Sequence, residues 1–389
     1  VDAVSVTAAI GFSASGVAAG IKPDALDVAL IVADEPVPTA GVFTLNQAAA
    51  APVILDRESL GRSALKRGIV INSGCANAAT GDQGISNGLA MAGTLADQIG
   101  CEAGDVLVSS TGTIGPQLPM DLVLPGIRSA ASRLSTSEES AALAARAILT
   151  TDSVVKQSAV RGDGWVVGGM SKGSGMVRPN MATMLAFITT DALVEPTLLS
   201  DVLRSAVDVS FNSLNIDGCE STNDSVIVMA SGASRVVPDN EQFASVMEEV
   251  CRDLALQMAA DAEGASRVVT IEVSGAVDDA DARALGRTVA DSALVRSSFY
   301  GGDVNWGRIL GALGASVIDI DPGGITVRYE GVTVFEGGTG AGFDEPALLE
   351  KIEAGDFSIA IDLGDGHGRA SVVTTDLTPE YVAFNGERS

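Results

Sequence analysis

The stretch Lys172-Gly-Ser-Gly-Met-Val-Arg-Pro-Asn-Met-Ala-Thr-Met-Leu-Ala-Phe187 changes character at its midpoint. Its first half is rich in glycine, which loses too much backbone entropy to sit inside a stable helix. Its second half turns apolar and strand-like after Ala182-Thr183. The pattern predicts a flexible loop, with Lys172 between flexible residues, running into a buried strand over 183–189. A threonine stands at the junction. If the peptide bond before it is cut, Thr183 carries a hydroxyl nucleophile and a free α-amine on one residue. Thr183 is therefore the candidate catalytic centre.

Composition bounds what such a centre can do. The chain has 389 residues, 46% of them hydrophobic, and 44 glycines, which suits two ordinary domains or one large, turn-rich α/β body. It contains no uninterrupted apolar run of about 18 residues, and the opening Val1-Asp-Ala-Val-Ser-Val6 has no basic segment followed by an apolar core. A soluble, cytoplasmic protein with no membrane partner is expected. The net charge of −26 would repel a phosphate backbone, which argues against nucleic acid, although such acidity also serves solubility alone. Cys75, Cys101, Cys219 and Cys251 form no Cys-x-x-Cys pair and are expected to be reduced, buried small hydrophobes.

The one histidine, His367, lies in Gly364-Asp-Gly-His-Gly368, a turn-like setting. Serine–histidine–aspartate chemistry and His-based metal sites need more than that, so no metal is expected and acyl chemistry must use another base.

Working outward, Val28–Val32, Gly41–Thr44, Gly68–Ile71, Asp105–Val108, Trp165–Gly168, Asp224–Met229 and Val268–Val273 read as strands. Helical spacing marks 56–60, 84–99, 135–150 (capped by Ser135 or Thr136), 198–209, 241–262 and 281–293. Ser298–Arg308 reads as a loop and the remainder as mostly short strands. No dinucleotide-binding glycine turn, Walker loop or fixed-period repeat occurs, which favours a layered α/β or α+β sandwich over a Rossmann fold.

Two local features fit either a bland or a functional role. Ser109-Ser-Thr-Gly-Thr-Ile-Gly115 follows a strand and gathers hydroxyls and backbone N–H groups, which suits an oxyanion hole and equally an ordinary Ser/Thr/Gly turn. Glu263, in Asp261-Ala-Glu-Gly264, stands at a helix end, where a solvated carboxylate costs little.

The sequence around Thr183 resembles the signature of the ornithine acetyltransferase family, the bifunctional glutamate N-acetyltransferase/amino-acid acetyltransferase of arginine biosynthesis. Gly20-Ile-Lys22, Ala40-Gly-Val-Phe-Thr44, Ala51-Pro-Val53, Ser110-Thr-Gly112, Thr150-Thr-Asp152, Ser221-Thr-Asn-Asp224, Asp261-Ala-Glu-Gly264 and Asn305-Trp-Gly-Arg308 follow in the family's order, so the likeness spans essentially the whole chain. It implies an αββα-type layered sandwich with a second, smaller C-terminal lobe. It also implies self-cleavage between Ala182 and Thr183 into an α chain, 1–182, and a β chain, 183–389, with two of each in a heterotetramer.

Carried onto matching positions, the family's roles make Thr183 the nucleophile and Thr111 with Gly112 the oxyanion hole. Thr150, Lys172, Thr183, Glu263, Asn385 and a C-terminal serine, here Ser389, become substrate contacts. The chain departs from the family in Ala265-Ser-Arg267 after Gly264, where a Thr-Lys pair is common, and in Asn385-Gly-Glu-Arg-Ser389, which lacks the usual tyrosine.

The implied reaction moves an acetyl group from N2-acetylornithine to glutamate through an acetyl-Thr183 ester. The partners are small amino acids and no cofactor is implied, with acetyl-CoA an open question as an alternative donor. An N-terminal threonine needs no histidine. A peptide α-amine ordinarily titrates at roughly 7.7–8.0, so it is substantially neutral near pH 7–8 and takes the hydroxyl proton. The rival readings are an N-terminal-nucleophile aminopeptidase or amidase that releases the acyl group to water, and a non-enzymatic binding scaffold, processed or unprocessed, in which the Ala182-Thr183 bond stays intact or the pocket is inert.

Overall fold

In the computed structural model residues 5–178 and 184–387 are described, and they divide into two compact units, Val1–Phe211 with Cys219–Met258, and Asn212–Gly218 with Ala259–Ser389. The first is built on an eight-stranded mixed sheet. Its strands are β1 (Phe12–Val17), β2 (Val28–Phe43), β3 (Leu65–Cys75), β4 (Val106–Thr113), β5 (Lys156–Arg161), β6 (Val166–Lys172) and β7 (Leu185–Thr190), then, beyond the two-residue β8 (Leu214–Asn215) of the other unit, β9 (Ser225–Ala230). The order is β4-β3-β2-β9-β7-β6-β5, with β1 also paired to β2.

The continuous apolar run at 28–32 is explained by cover on both faces of that sheet. Ala29, Ile31 and Ala33 point into one core and Val28, Leu30 and Val32 into the other. The same alternation puts Ile69, Ile71 and Leu107 on the first side and Val70, Val106 and Val108 on the second. The helices are α1 (Ala51–Arg62), α2 (Gly81–Ile99), α3 (Met120–Ala131), α4 (Glu138–Ala147), α5 (Pro196–Asp208) and α6 (Asn240–Ala260). Helix α4 covers the first face, while α2 and α3 cover the second. The predicted apolar face of α6 is buried, with Phe243, Val250, Leu254 and Met258 fully covered.

The second unit has a seven-stranded mixed sheet, ordered β13-β12-β11-β14-β10-β15-β8, from β10 (Val268–Ala276), β11 (Thr326–Tyr329), β12 (Val332–Glu336), β13 (Thr339–Gly340), β14 (Phe357–Asp362) and β15 (Gly368–Thr375) together with β8. Its helices are α7 (Asp279–Asp291), α8 (Ala293–Tyr300), α9 (Trp306–Gly314), α10 (Glu345–Glu353) and α11 (Pro379–Gly386). Two mixed sheets, each packed by helices, give the expected layered α/β architecture, and the smaller unit is the expected C-terminal lobe.

Several expectations are corrected. The strands at 28–32 and 41–44 are one strand, β2, which pairs with β3 in its first part and with β9 over Thr39–Phe43, its register slipping between Val32 and Val37. Helix α4 is capped by Ser137, whose hydroxyl accepts the Ser140 N–H; Ser135 is instead bridged to Ala14. The same helix ends at Ala147 and not at Thr150, because the Ser73 hydroxyl takes the Ala147 carbonyl at 2.6 Å and the Lys22 ammonium takes that of Leu149 at 2.6 Å. Ser298–Arg308 is not one loop: α8 runs to Tyr300, and the Asn305 side chain caps α9. Cys219 is exposed and Cys101 half-buried, while Cys75 and Cys251 are buried as expected. Among the described residues no helix is long and apolar enough to cross a membrane.

Candidate functional site

Ala182, Thr183 and Ser389 lie outside the described residues, so the site is built from their described neighbours in sequence and from the other candidate residues. Strand β7 begins at Leu185, not at Thr183, and Met184 before it is 2% exposed. Its N–H donates to Asp224 Oδ1 at 2.8 Å, and its carbonyl accepts the Ser225 N–H at 3.3 Å. The Thr183–Met184 amide is thus fixed from its C-terminal side.

Thr111 and Gly112 sit at the end of β4, an edge strand parallel to β3. Helix α1 closes that edge, Asp56 accepting the Val108 N–H at 2.9 Å. Burial pushes the Asp56 carboxyl well above the usual range, against the Val108 hydrogen bond and the Lys66 charge. The pairing slips between Gly74 and Cys75. Gly112 has φ +131°, and a Cβ there would fall 2.3 Å from the Gly74 carbonyl carbon, so only glycine fits. Thr111 is buried and Gly112 exposed. A hydroxyl and a backbone N–H at a strained, open strand end suit oxyanion stabilisation.

Lys172 corrects an expectation: it is the last residue of β6 and 1% exposed, not part of a flexible loop. Its ammonium donates to Thr150 Oγ1 at 2.7 Å and stands 3.8 Å from Asp152 Oδ2. The Asp152 carboxylate, also fully buried, accepts from Lys156 Nζ at 2.8 Å, the Gly173 N–H at 2.6 Å and the Thr150 N–H at 3.1 Å. Burial raises its pKa, but the Lys172 and Lys156 charges and the bonds from Lys156 and Gly173 outweigh that and bring it down to about 2. Asp152 holds Lys172 and Thr150 together.

Lys22 links this cluster to the end of β3. The buried Asp27 carboxylate accepts the N–H groups of Ala19, Gly20, Ile21 and Lys22, which folds the Gly20-Ile-Lys22 segment tightly around it. The Lys22 side chain then passes Gly74, where a Cβ would meet its Cγ at 2.8 Å, and ends on the Leu149 carbonyl beside Thr150. Burial lowers its pKa, opposed by Asp27, and the nearby Lys172 charge lowers it further. Three of the chain's five lysines, Lys22, Lys156 and Lys172, therefore surround Asp152.

Glu263 and Asn385 come together within the second unit. Gly264 takes φ +65°, and a Cβ there would fall 2.3 Å from the Tyr381 nitrogen, so glycine admits α11. Thr378 caps that helix and donates its hydroxyl to the Gly264 carbonyl at 2.5 Å. Asn385 Nδ2 is then 3.2 Å from Glu263 Oε2.

The sequence alone assigns no role to Asp152, Lys156, Asn223 or Asp224, although Thr150-Thr-Asp152 and Ser221-Thr-Asn-Asp224 stand out as motifs. Those two motifs are the signal that could have drawn attention to Asp152, Asn223 and Asp224, whereas their partners are set by the fold and nothing in the sequence singles out Lys156. His367 lies in an exposed turn, and among the described residues no group of three or more His, Cys, Asp or Glu gathers as metal ligands.

Residues 13–389 match the ArgJ family. The chain belongs to the ArgJ family. The arginine biosynthesis bifunctional protein ArgJ of Streptomyces avermitilis is 44% identical over 99% of this chain and all of its own length, and that of Thermobifida fusca 43% identical over the same shares. The solved structure of ornithine acetyltransferase complexed with ornithine from Mycobacterium tuberculosis is 43% identical over 46% of this chain and 96% of that one, with a TM-score of 0.45. ArgJ-family membership thus covers both compact units and every candidate site residue.

Proposed function

We propose that the chain is an acetyltransferase of arginine biosynthesis that moves the acetyl group of N2-acetylornithine to glutamate. The observation that carries this reading is the full-length match to ArgJ relatives, together with the fall of the family's motifs on positions under unusual physical constraint. Gly112 and Gly264 admit no side chain, and Lys172 and Asp152 are charged and buried.

The chain first cuts itself. The Thr183 hydroxyl attacks the Ala182 carbonyl, the amide becomes an ester, and water resolves it, leaving an α chain, 1–182, and a β chain that begins with Thr183. The freed α-amine then accepts the hydroxyl proton as Thr183 attacks the acetyl carbonyl of N2-acetylornithine. The Thr111 hydroxyl and Gly112 N–H receive the developing oxyanion, a pair in which one donor is typically worth about 3–4 kcal/mol. Ornithine leaves with the returned proton. Glutamate enters, its α-amine attacks the acetyl-Thr183 ester, and N-acetylglutamate departs in a ping-pong cycle.

Both substrates are α-amino acids, so one set of contacts serves both. Lys172, held by Thr150 and Asp152, pairs with the α-carboxylate. Glu263 pairs with an amino group, and the family's roles make Asn385 and Ser389 further substrate contacts. The reaction uses no cofactor, and acetyl-CoA is a second acetyl donor to Thr183. The working form is a cytoplasmic heterotetramer of two α and two β chains. Thr183→Ala is expected to run as one unprocessed chain on a denaturing gel and to lack transferase activity. Two fragments from that variant would overturn the nucleophile assignment.

A further inference from the structure

Ser221-Thr-Asn-Asp224 has no part in the chemistry above, yet it is among the most tightly bound segments of the first unit. Ser221, Asn223 and Asp224 are buried, Asp224 completely. The Thr44 hydroxyl donates to the Ser221 carbonyl at 2.8 Å and the Thr44 N–H to the Asp224 carbonyl at 3.0 Å. Asn223 Nδ2 donates to the carbonyls of Ala76, at 2.6 Å, and Ser110, at 2.8 Å. Asp224 Oδ1 accepts the Met184 N–H at 2.8 Å.

The covalent identity of those partners matters. The Ser110 carbonyl belongs to the peptide unit that leads into Thr111, and the Met184 N–H belongs to the peptide unit that leaves Thr183. Two consecutive side chains therefore grip the amide beside the oxyanion donor and the amide beside the nucleophile. The grip extends further: the Ser110 hydroxyl donates to Asn72 Oδ1 at 2.6 Å, and Asn72 Nδ2 donates to the Cys75 carbonyl at 2.9 Å, so the β3 and β4 ends move as one with Asn223.

We infer that Asn223 and Asp224 are positioning residues: they tie the Met184 N–H, next in sequence to Thr183, and the Ser110 carbonyl, next in sequence to Thr111, to one segment, and so align nucleophile and oxyanion donors in self-cleavage and in acetyl transfer alike. This rests on Thr183 as nucleophile. Asp224 serves as a hydrogen-bond acceptor, its Oδ1 taking the Met184 N–H at 2.8 Å, and burial raises its carboxyl pKa well above the usual range, against the bonds from Met184 and Ser221 and the Lys172 charge. Asparagine keeps a side-chain oxygen in the place of Oδ1 as acceptor for that N–H.

The test compares Asp224→Ala, Asp224→Asn and Asn223→Asp with the natural chain. The rate of self-cleavage is followed by intact mass, and kcat and KM are measured separately on processed enzyme. Asp224→Ala and Asn223→Asp are expected to slow cleavage and kcat by ~10²-fold, the scale of an ångström of misplacement, with KM for N2-acetylornithine within about twofold. Asp224→Asn should recover most of both rates. If Asp224→Ala proves insoluble, Asp224→Asn and Asn223→Asp alone decide the matter. Natural rates in Asp224→Ala or Asn223→Asp, or loss in Asp224→Asn as deep as in Asp224→Ala, would overturn the proposal. Thr183→Ala run in parallel separates the two readings: cleavage of that variant removes the nucleophile, whereas an inert Thr183→Ala beside a fully active Asp224→Ala removes only the brace.

Discussion

Asp152 shows what a single buried charge does in this molecule. Its carboxylate meets two lysine ammonium groups and two backbone N–H groups with no water-facing surface of its own. Removing the charge leaves Lys156 and Lys172 in a site built for an anion, and breaking a buried pair typically costs about 3–5 kcal/mol. Asp152→Asn is therefore expected to lower stability by that order in urea unfolding and to raise KM, since Lys172 loses the partner that aims it. The pH dependence has a definite sign. A folded-state pKa of about 2, below the ordinary aspartate value of 3.8, means that ionised Asp152 stabilises the fold fully above 3.8 and loses that contribution as pH falls through about 2. That contribution is ~2 kcal/mol. Melting of the natural chain and the variant from pH 7 down to pH 2 checks it: the gap between them should narrow by ~2 kcal/mol over that acid range, and a gap that stays constant would contradict it.

At the scale of elements, local pattern located the strands well because β2, β3 and β4 are apolar on both faces. It located helix ends poorly because tertiary partners set them. Ser73 and Lys22 end α4 early by taking its last carbonyls, and no window of sequence contains those contacts. The site residues divide in the same way. Thr183 became a candidate from the loop-like run before it and the near absence of histidine, and Thr111, Gly112, Glu263 and Asn385 through the family likeness. The Lys22–Asp152–Lys172 cluster and the Asn223–Asp224 brace were not, since they join segments far apart in the chain. The strand end at Gly112 carries its own prediction. Gly112→Ala would force a Cβ into the Gly74 backbone at φ +131°, a strain of about 1–3 kcal/mol before any repacking. Shifting the oxyanion N–H should cost ~10²-fold or more in kcat. A variant with natural stability and kcat would refute both the close approach and the role.

For the whole molecule, the proposed cut and the compact units fall in different places. The first unit holds both sides of the junction, β6 pairing directly with β7 from Lys172↔Leu185 to Val167↔Thr190. The proposed cleavage between 182 and 183 would sever a connection between two strands paired in one sheet, so their hydrogen bonds would hold the fragments together without any new interface. The most direct test is the mass of the 183–389 fragment after incubation with N2-acetylornithine alone and then with glutamate. The account predicts a fragment that begins at Thr183, gains one acetyl group on that residue, keeps it in water, and returns to its first mass as N-acetylglutamate forms. An uncut chain, a fragment that never carries acetyl, or an acetyl group lost steadily to water as acetate would contradict it.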